Sequence, residues 1–459
     1  MIRIEGSETV LITRKASYLI FSYGLFLSWL LSFLYNGSLL SFVFKNINIT
    51  VLAMVYIIVP AIACYCFAVL PWKKHTAVLM MKYGLSVSMI GTTALLYLSE
   101  THLPILVIYI LSGVLGLFSV IFIAGWGVLF IQVIEFSNMF VVMAATICLS
   151  RICISFNGTL SILSHGELGL FFVFFCLIFA YIYTLKIGLV KINSDESINT
   201  SIDLKLVLLL CLTVFFTNVG GGLSQTLLVE LTVKTFRYIY IIEGLLYGLF
   251  ILLIFFGNRY LDNPFFTTLS IIIIGMGFLM LIVFNNIPTL SYLITTSGYL
   301  FLDIILWTLV AKISYLFNEP FKVFFPVMGS NLLAVFLGNV LAMIFRDNWQ
   351  SIYIAVALCT MCIFLALPLY NALHQQLLSL LKQFRKNQWL NEDYFNVLTE
   401  REREIVLLML DGLKNKDIAE KIFISENTLK THAKNIYAKT NVSNKKELIE
   451  KYENNLKVE

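Results

Sequence analysis

Between residues 17 and 373 the chain repeats one pattern, a long apolar run followed by a short polar interruption. The runs fall at 17–35, 49–70, 76–98, 105–130, 138–163, 168–187, 205–228, 237–256, 265–284, 290–311, 323–345 and 351–373. A helix needs roughly 20 apolar residues to cross the hydrocarbon core of a bilayer, so the pattern predicts about twelve transmembrane helices. Backbone groups at membrane depth must be satisfied inside their own segment, which makes helices the reading for such runs. Turn signals punctuate several boundaries: Pro71, Pro104, Asn263-Pro264 and Asn285-Asn286-Ile287-Pro288. After residue 373 the pattern changes. Apolar positions now recur at helical spacing among charged residues, which predicts four short amphipathic helices. The expected fold class is therefore all-α: a polytopic membrane domain followed by a small helical domain.

Composition agrees, with 59% hydrophobic and 13% charged residues, where a soluble globule carries about a quarter charged. The net charge of +5 says less than its distribution. With the N-terminus inside, the inner segments hold Arg3, Arg14, Lys15, Lys73, Lys74, Lys186, Lys191, Lys205, Arg259, Lys312 and Lys322; the outer ones hold Lys45, Lys234, Arg237 and Arg346. Basic residues favour the cytoplasmic side, so both termini are placed in the cytoplasm of a bacterial cell, with the spans in its inner membrane. Residues 1–16 then form a cytoplasmic tail without the short apolar core of a cleaved signal peptide.

The longest polar interruption, about Lys186 to Lys205, divides the runs six and six. This layout resembles the major facilitator superfamily, whose two halves enclose a midplane cavity. That family's Gly/Asp/Arg-rich loop between the second and third helices is replaced here by Pro71-Trp72-Lys73-Lys74-His75. The resemblance therefore implies the fold without implying transport.

Ionisable groups at membrane depth are costly and face the protein interior. Arg151, Glu243 and Asp303 sit inside apolar runs, and Asn218, Gly220-Gly221-Gly222 and Gln225 interrupt the seventh. Two readings stay open. Arg151, Asn218, Gln225, Glu243 and Asp303 line a ligand site, with Arg151 suited to a carboxylate or phosphate; or Arg151 pairs with Asp303 or Glu243 and holds the halves together. The glycines could open the seventh helix toward the cavity. All eight cysteines lie in apolar runs, so neither a disulfide framework nor a metal module is expected, and no cofactor is.

Residues 374–394 read as a helical connector, with Leu373, Leu377, Leu380 and Phe384 on one seam and a break at Trp389 to Asp393. Residues 395–459 form the soluble domain. Thr399-x-x-Glu402 is a capping box and Gly412 a helix stop. Asn415 is expected to cap the second helix and Ser425 the third, with a turn at Phe423-Ile424; Asn444-x-x-Glu447 starts the fourth. The second and third make a helix-turn-helix. On the third, Leu429, Ala433 and Ile436 share an inward stripe, leaving Asn427, Lys430, Thr431 and Lys434 for the major groove. Lys414, Lys416, Lys421 and Lys439 are candidates for phosphate contacts.

Leu398 to Leu448 resembles the LuxR-type DNA-binding domain: L-T-x-R-E at Leu398 to Glu402, G-x-x-N-K-x-I-A from Gly412, and I-S-x-x-T-x-K-x-H from Ile424. The resemblance implies DNA as a partner, adds Thr428 and His432 to the binding face, makes Glu402 and Gly412 structural, and gives the fourth helix a homodimer contact. Lys445-Lys446 stands where that family has Arg. Residues 17–373, with no soluble input domain after them, are then the expected sensor of an unknown small molecule. The whole reads as a one-component transcription regulator in the bilayer and not as an enzyme. The alternative is a secondary transporter with a fused regulatory DNA-binding domain.

Overall fold

Proline suits the start of a helix because its missing N–H costs nothing in the first turn. Pro264, Pro288 and Pro320 each open a helix, and Pro104 precedes one. The computed structural model describes residues 13–35, 49–99, 104–164, 166–188, 202–229, 231–232, 236, 238–261, 264–284, 287–391, 397–410 and 412–449. No strand occurs among them. In chain order the helices are α1 (Arg14–Leu30), α2 (Ile49–Ala68), α3 (Ala77–Ser99), α4 (Ile105–Val133), α5 (Met139–Leu163) and α6 (Glu167–Ile187). The second set is α7 (Leu204–Leu223), α8 (Ile239–Leu261), α9 (Pro264–Val283), α10 (Pro288–Phe317), α11 (Pro320–Phe345) and α12 (Trp349–Asn391). Eleven helices among the described residues are long and apolar enough to cross a membrane. The remaining one is α8, 23 residues long, with an apolar described stretch at Ile239–Phe250. The chain divides into two compact units, Met1–His374 and Gln375–Glu459.

In the first unit the packing repeats with a period of six helices. Helix α1 lies on α5 and α7 lies on α11; α3 lies on α4 and α9 on α10. The halves meet through α2 with α11 and through α5 with α8, and these two pairs exchange under the same six-helix shift. Such parallel repeats, related by a pseudo-two-fold axis, leave the space at that axis for a site.

The glycines of α7 do not open it, contrary to the sequence expectation: the helix runs unbroken through Gly220, Gly221 and Gly222. Gly222 lets α11 approach instead, while Gly220 makes room for the Tyr299 hydroxyl and the side chains of Phe278 and Ile363. A Cβ on Gly222 would lie 2.2 Å from the Val335 carbonyl oxygen, and one on Gly338 would lie 2.1 Å from that of Val219. Without lipid-driven hydrophobic attraction between helices, such small-residue contacts supply close packing. The irregularity comes one turn later, where α7 widens into a π turn, Ser224–Leu228. Helix α1, its equivalent, ends in a π turn too, Leu31–Tyr35.

At the end that carries the turns 71–76, 134–138 and 318–319, the halves are bound together. The Trp72 ring packs at a tilt against Phe321 and Phe325, with centroids 5.9 and 5.7 Å apart. Lys74 donates to the Asn318 side-chain oxygen. Phe136 lies 5.7 Å from Tyr315, and the Lys312 ammonium sits 5.3 Å above its face. Deeper, the Phe324 ring fills the space over Gly127, where a Cβ would come within 2.6 Å of it.

In the second unit, α13 (Glu400–Leu410), α14 (Asn415–Lys421), α15 (Glu426–Thr440) and a short fourth helix at 445–449 enclose one core. Ile405, Met409, Ile418, Leu429, Ile436 and Leu448 are its buried centre. Two boundaries differ from expectation. The connector helix continues through Trp389 to Asn391, and residues 392–396 lie outside those described. Lys414 with extended backbone, rather than Asn415, is the N-cap of α14, so Asn415 is its first residue.

Candidate DNA-binding face and membrane cavity

The third helix of the C-terminal unit owes its position to its two ends. Phe423 adopts a left-handed backbone (φ 56°), turning the chain from α14 into α15, and the Ile424 N–H donates to the Ala419 carbonyl at 3.0 Å. Ser425 then caps α15, its hydroxyl accepting from the Thr428 N–H at 3.1 Å. Burying Leu429, Ala433 and Ile436 fixes the helix's rotation. Asn427, Lys430, Thr431 and Lys434 consequently face out, all exposed. Lys414 and Lys416 are exposed at the start of α14. None of these four lysines joins an ion pair among the described residues, which leaves their charge for other partners.

Thr428 and His432 stand differently. The Thr428 hydroxyl lies 2.7 Å from that of Ser425 and serves the cap; His432 is half-buried. Lys439, expected at phosphate, is exposed and bonds Glu402 at 2.7 Å. Glu402 is the hub of the unit. One of its oxygens accepts from the Thr399 N–H at 2.8 Å, the Thr399 hydroxyl at 3.0 Å and the Lys439 ammonium. The Thr399 hydroxyl accepts in return from the Glu402 N–H at 3.3 Å, completing the capping box. Burial by itself raises the pKa of this carboxyl, but the bonds from Lys439 and Thr399 together outweigh it and hold Glu402 below its ordinary value.

Two docking residues escaped the sequence reading. Arg401 donates to the Ile422 carbonyl, tying α13 to the end of α14. Lys445 donates to the Leu413 carbonyl at 2.5 Å, so a residue that departs from the LuxR pattern ties the fourth helix to the chain just past the end of α13. Only the backbone partner reveals either role, and a backbone partner leaves no mark in the sequence.

In the membrane unit a cavity of about 160 Å³ lies between the halves, walled by α1, α2, α4, α5, α7, α10 and α11. Arg151, Asn218, Gln225 and Asp303 all line it. Glu243 does not; it is buried beside α10, accepting from the hydroxyls of Tyr247 and, at 3.1 Å, Tyr292. Arg151 on α5 donates to Asp303 on α10 at 2.7 Å, joining first half to second. Each keeps about a fifth of its side chain exposed, 22% and 21%. The two sequence readings of Arg151 are thus compatible in space, since one residue both pairs and faces the cavity. Arg151 and Asp303 are the only charged residues among the described residues of the wall, whose charges therefore balance. Asn218 turns its amide back onto the Val214 carbonyl at 3.0 Å. The Gln225 side-chain oxygen is buried without a hydrogen-bond partner. Tyr23, Tyr299 and Trp307 supply aromatic surface that composition did not single out.

Residues 396–452 match the family of bacterial regulatory proteins described as the luxR family. The oxygen regulatory protein NreC of Staphylococcus epidermidis is 45% identical over 60 residues, 13% of this chain and 28% of that protein. The monoamine regulon transcriptional regulator of Klebsiella aerogenes is 48% identical over 58 residues, 13% of this chain and 26% of that one. The chain thus spans under a third of the length of these relatives. The fold of the membrane unit is similar to that of a bacterial homologue of the iron transporter ferroportin in an outward-facing state. That match has a TM-score of 0.53 and 12% identity, covering 79% of this chain and all of that one. It is similar also to the human organic anion transporter MFSD10, with a TM-score of 0.50 and 13% identity over 78% and 98% of the chains. At these identities the likeness concerns fold alone.

Proposed function

We propose that this chain, a LuxR-type DNA-binding domain carried behind a transporter-like multi-pass membrane domain, is a one-component transcription regulator whose membrane half senses a small molecule. The observation that carries the reading is the pairing of two features in one polypeptide: an exposed basic face on α15, and a cavity between two helical halves bridged there by the Arg151–Asp303 ion pair. On the DNA side, Lys430 and Lys434 stand one turn apart, flanked by Asn427 and Thr431, a set suited to base edges and phosphates. Lys414 and Lys416 add positively charged contacts to the backbone. Both termini belong to the cytoplasm of a bacterial cell, and the fourth helix supplies a homodimer contact on DNA.

On the sensing side, the neutral wall favours a neutral or zwitterionic ligand, because net charge brought to membrane depth would go uncompensated. A zwitterion can present its anion to Arg151 and its cation to Asp303, and a donor group satisfies the Gln225 oxygen. Opening the Arg151–Asp303 pair removes a link between the halves, so ligand binding shifts their relative population. A ligand that bound both arrangements equally would shift nothing.

The test has two arms. Full-length protein carrying Lys430→Ala and Lys434→Ala is expected to insert normally and to lose roughly 1–3 kcal/mol of DNA affinity per base-contacting lysine. Unchanged promoter output from that double variant would remove α15 from DNA recognition. In the second arm, a thermal-shift screen of neutral and zwitterionic compounds on the purified protein is followed by DNA binding with and without the best stabiliser. A compound that accumulates in vesicles without changing DNA binding would favour the transporter reading, in which the DNA-binding domain reports flux.

A further inference from the structure

The cavity meets most of its helices near their middles, but on two of them it extends toward one end. On α1 its wall begins at Tyr23 and runs through Leu30 into the π turn at Leu31; on α7 it runs from Asn218 into the π turn at Ser224 and Gln225. Both stretches lie toward the ends remote from the turns 71–76, 134–138 and 318–319. Those turns carry the ring, ammonium and amide contacts that bind the halves together, with Phe324 against Gly127 behind them. The way in from that end is blocked by side chains. At the remote end α5 and α8 stay joined, the Ser155 hydroxyl donating to the Tyr240 carbonyl. Among the described residues, no comparable seal lies along the flank where α1 and α7 end. Both helices end there in π turns, which are wider than α-helical turns and frequent at functional sites.

Helices alternate in direction, so the sealed end is also the end at which the chain leaves the bundle after α12. A DNA-binding domain follows there, and DNA is cytoplasmic. We infer that the cavity is loaded from the extracytoplasmic side, between the π turns of α1 and α7, and that the molecule it receives comes from outside the cytoplasm. This rests on the reading of the membrane half as a sensor for its consequence, though not for its geometry.

The two are separable by one experiment on the full-length protein in native membranes. Ser224→Cys places a thiol on the cavity wall, and Lys73→Cys places one at the sealed end. The probe is a membrane-impermeant anionic methanethiosulfonate reagent, applied to right-side-out and inside-out vesicles, with the unsubstituted chain giving the background of its eight native cysteines. Ser224→Cys is expected to react about tenfold or more faster in right-side-out vesicles, since access scales with the fraction of molecules open to that side. Lys73→Cys is expected to show the reverse. Faster reaction of Ser224→Cys from the inside, equal rates from both sides, or reaction from neither, overturns the inference. If Ser224→Cys fails to insert, Asn331→Cys on the same wall takes its place with the same expectation. Promoter output is read in intact cells with the reagent added outside. Sided labelling that leaves output unchanged keeps the access route and removes the sensor; sided labelling that shifts output keeps both.

Discussion

One carboxyl oxygen organises the C-terminal domain. Glu402 caps its own helix through Thr399 and reaches across to Lys439, near the end of α15. Replacing it with Ala removes the return half of a capping box and leaves Lys439 unpaired, so the domain is expected to lose about 2–4 kcal/mol, measurable by chemical denaturation. Its lowered pKa gives a signed pH dependence. A carboxyl whose folded value is depressed stabilises fully above its unfolded value, about 4.3. That contribution fades as pH falls through the lowered folded value. Melting temperatures compared with Glu402→Gln are expected to converge only in acid; a gap independent of pH would exclude this linkage. The capping box was legible because Thr and Glu three apart before an apolar stripe have one economical use. The tie to Lys439 was not, because an exposed-looking lysine in a basic domain reads equally well as a phosphate contact.

Among the helices, types and ends were readable while neighbours were not. Proline and polar turns mark where α4, α9 and α10 begin, and the apolar runs mark their extent. A helix apolar on every side gives no periodic signal for which face meets which partner. Hence the pairing of α2 with α11, and the Trp72, Phe321 and Phe325 cluster behind it, had no signature in the sequence. The three glycines of α7 were visible, but their use was misjudged, since close approach and local unwinding ask for the same residue. The distinction is testable. Gly338→Val drives methyl groups into the α7 backbone at Val219 and Leu223. It is expected to destabilise the membrane unit by roughly 1–3 kcal/mol or more, as overpacking does, with a lower melting temperature in detergent. An unwound α7 would accommodate the valine with little change.

For the molecule as a whole, the Arg151–Asp303 pair ties the first half to the second at the cavity. Its members are 152 residues apart in sequence. The residues were conspicuous as charges in apolar runs, yet only the crossing of α5 with α10 decides that they meet. Breaking the pair from one side, by Arg151→Met or Asp303→Leu, leaves an uncompensated charge at depth and is expected to cost about 3–5 kcal/mol. The double variant is expected to recover most of that stability in detergent melts while losing ligand dependence of promoter output. If the double variant melts no higher than the singles, the pair does more than neutralise charge.

The unbroken course of α12 from Trp349 to Asn391 has a further consequence. Because membrane helices and DNA-binding domain share one chain, the two are made in a ratio of one to one. A diffusible regulator is diluted as a cell's volume grows. Copies of this protein are instead spread over an area, so their density follows the surface of the cell, and a long, thin cell and a round one of equal volume present different densities of it to the same promoter.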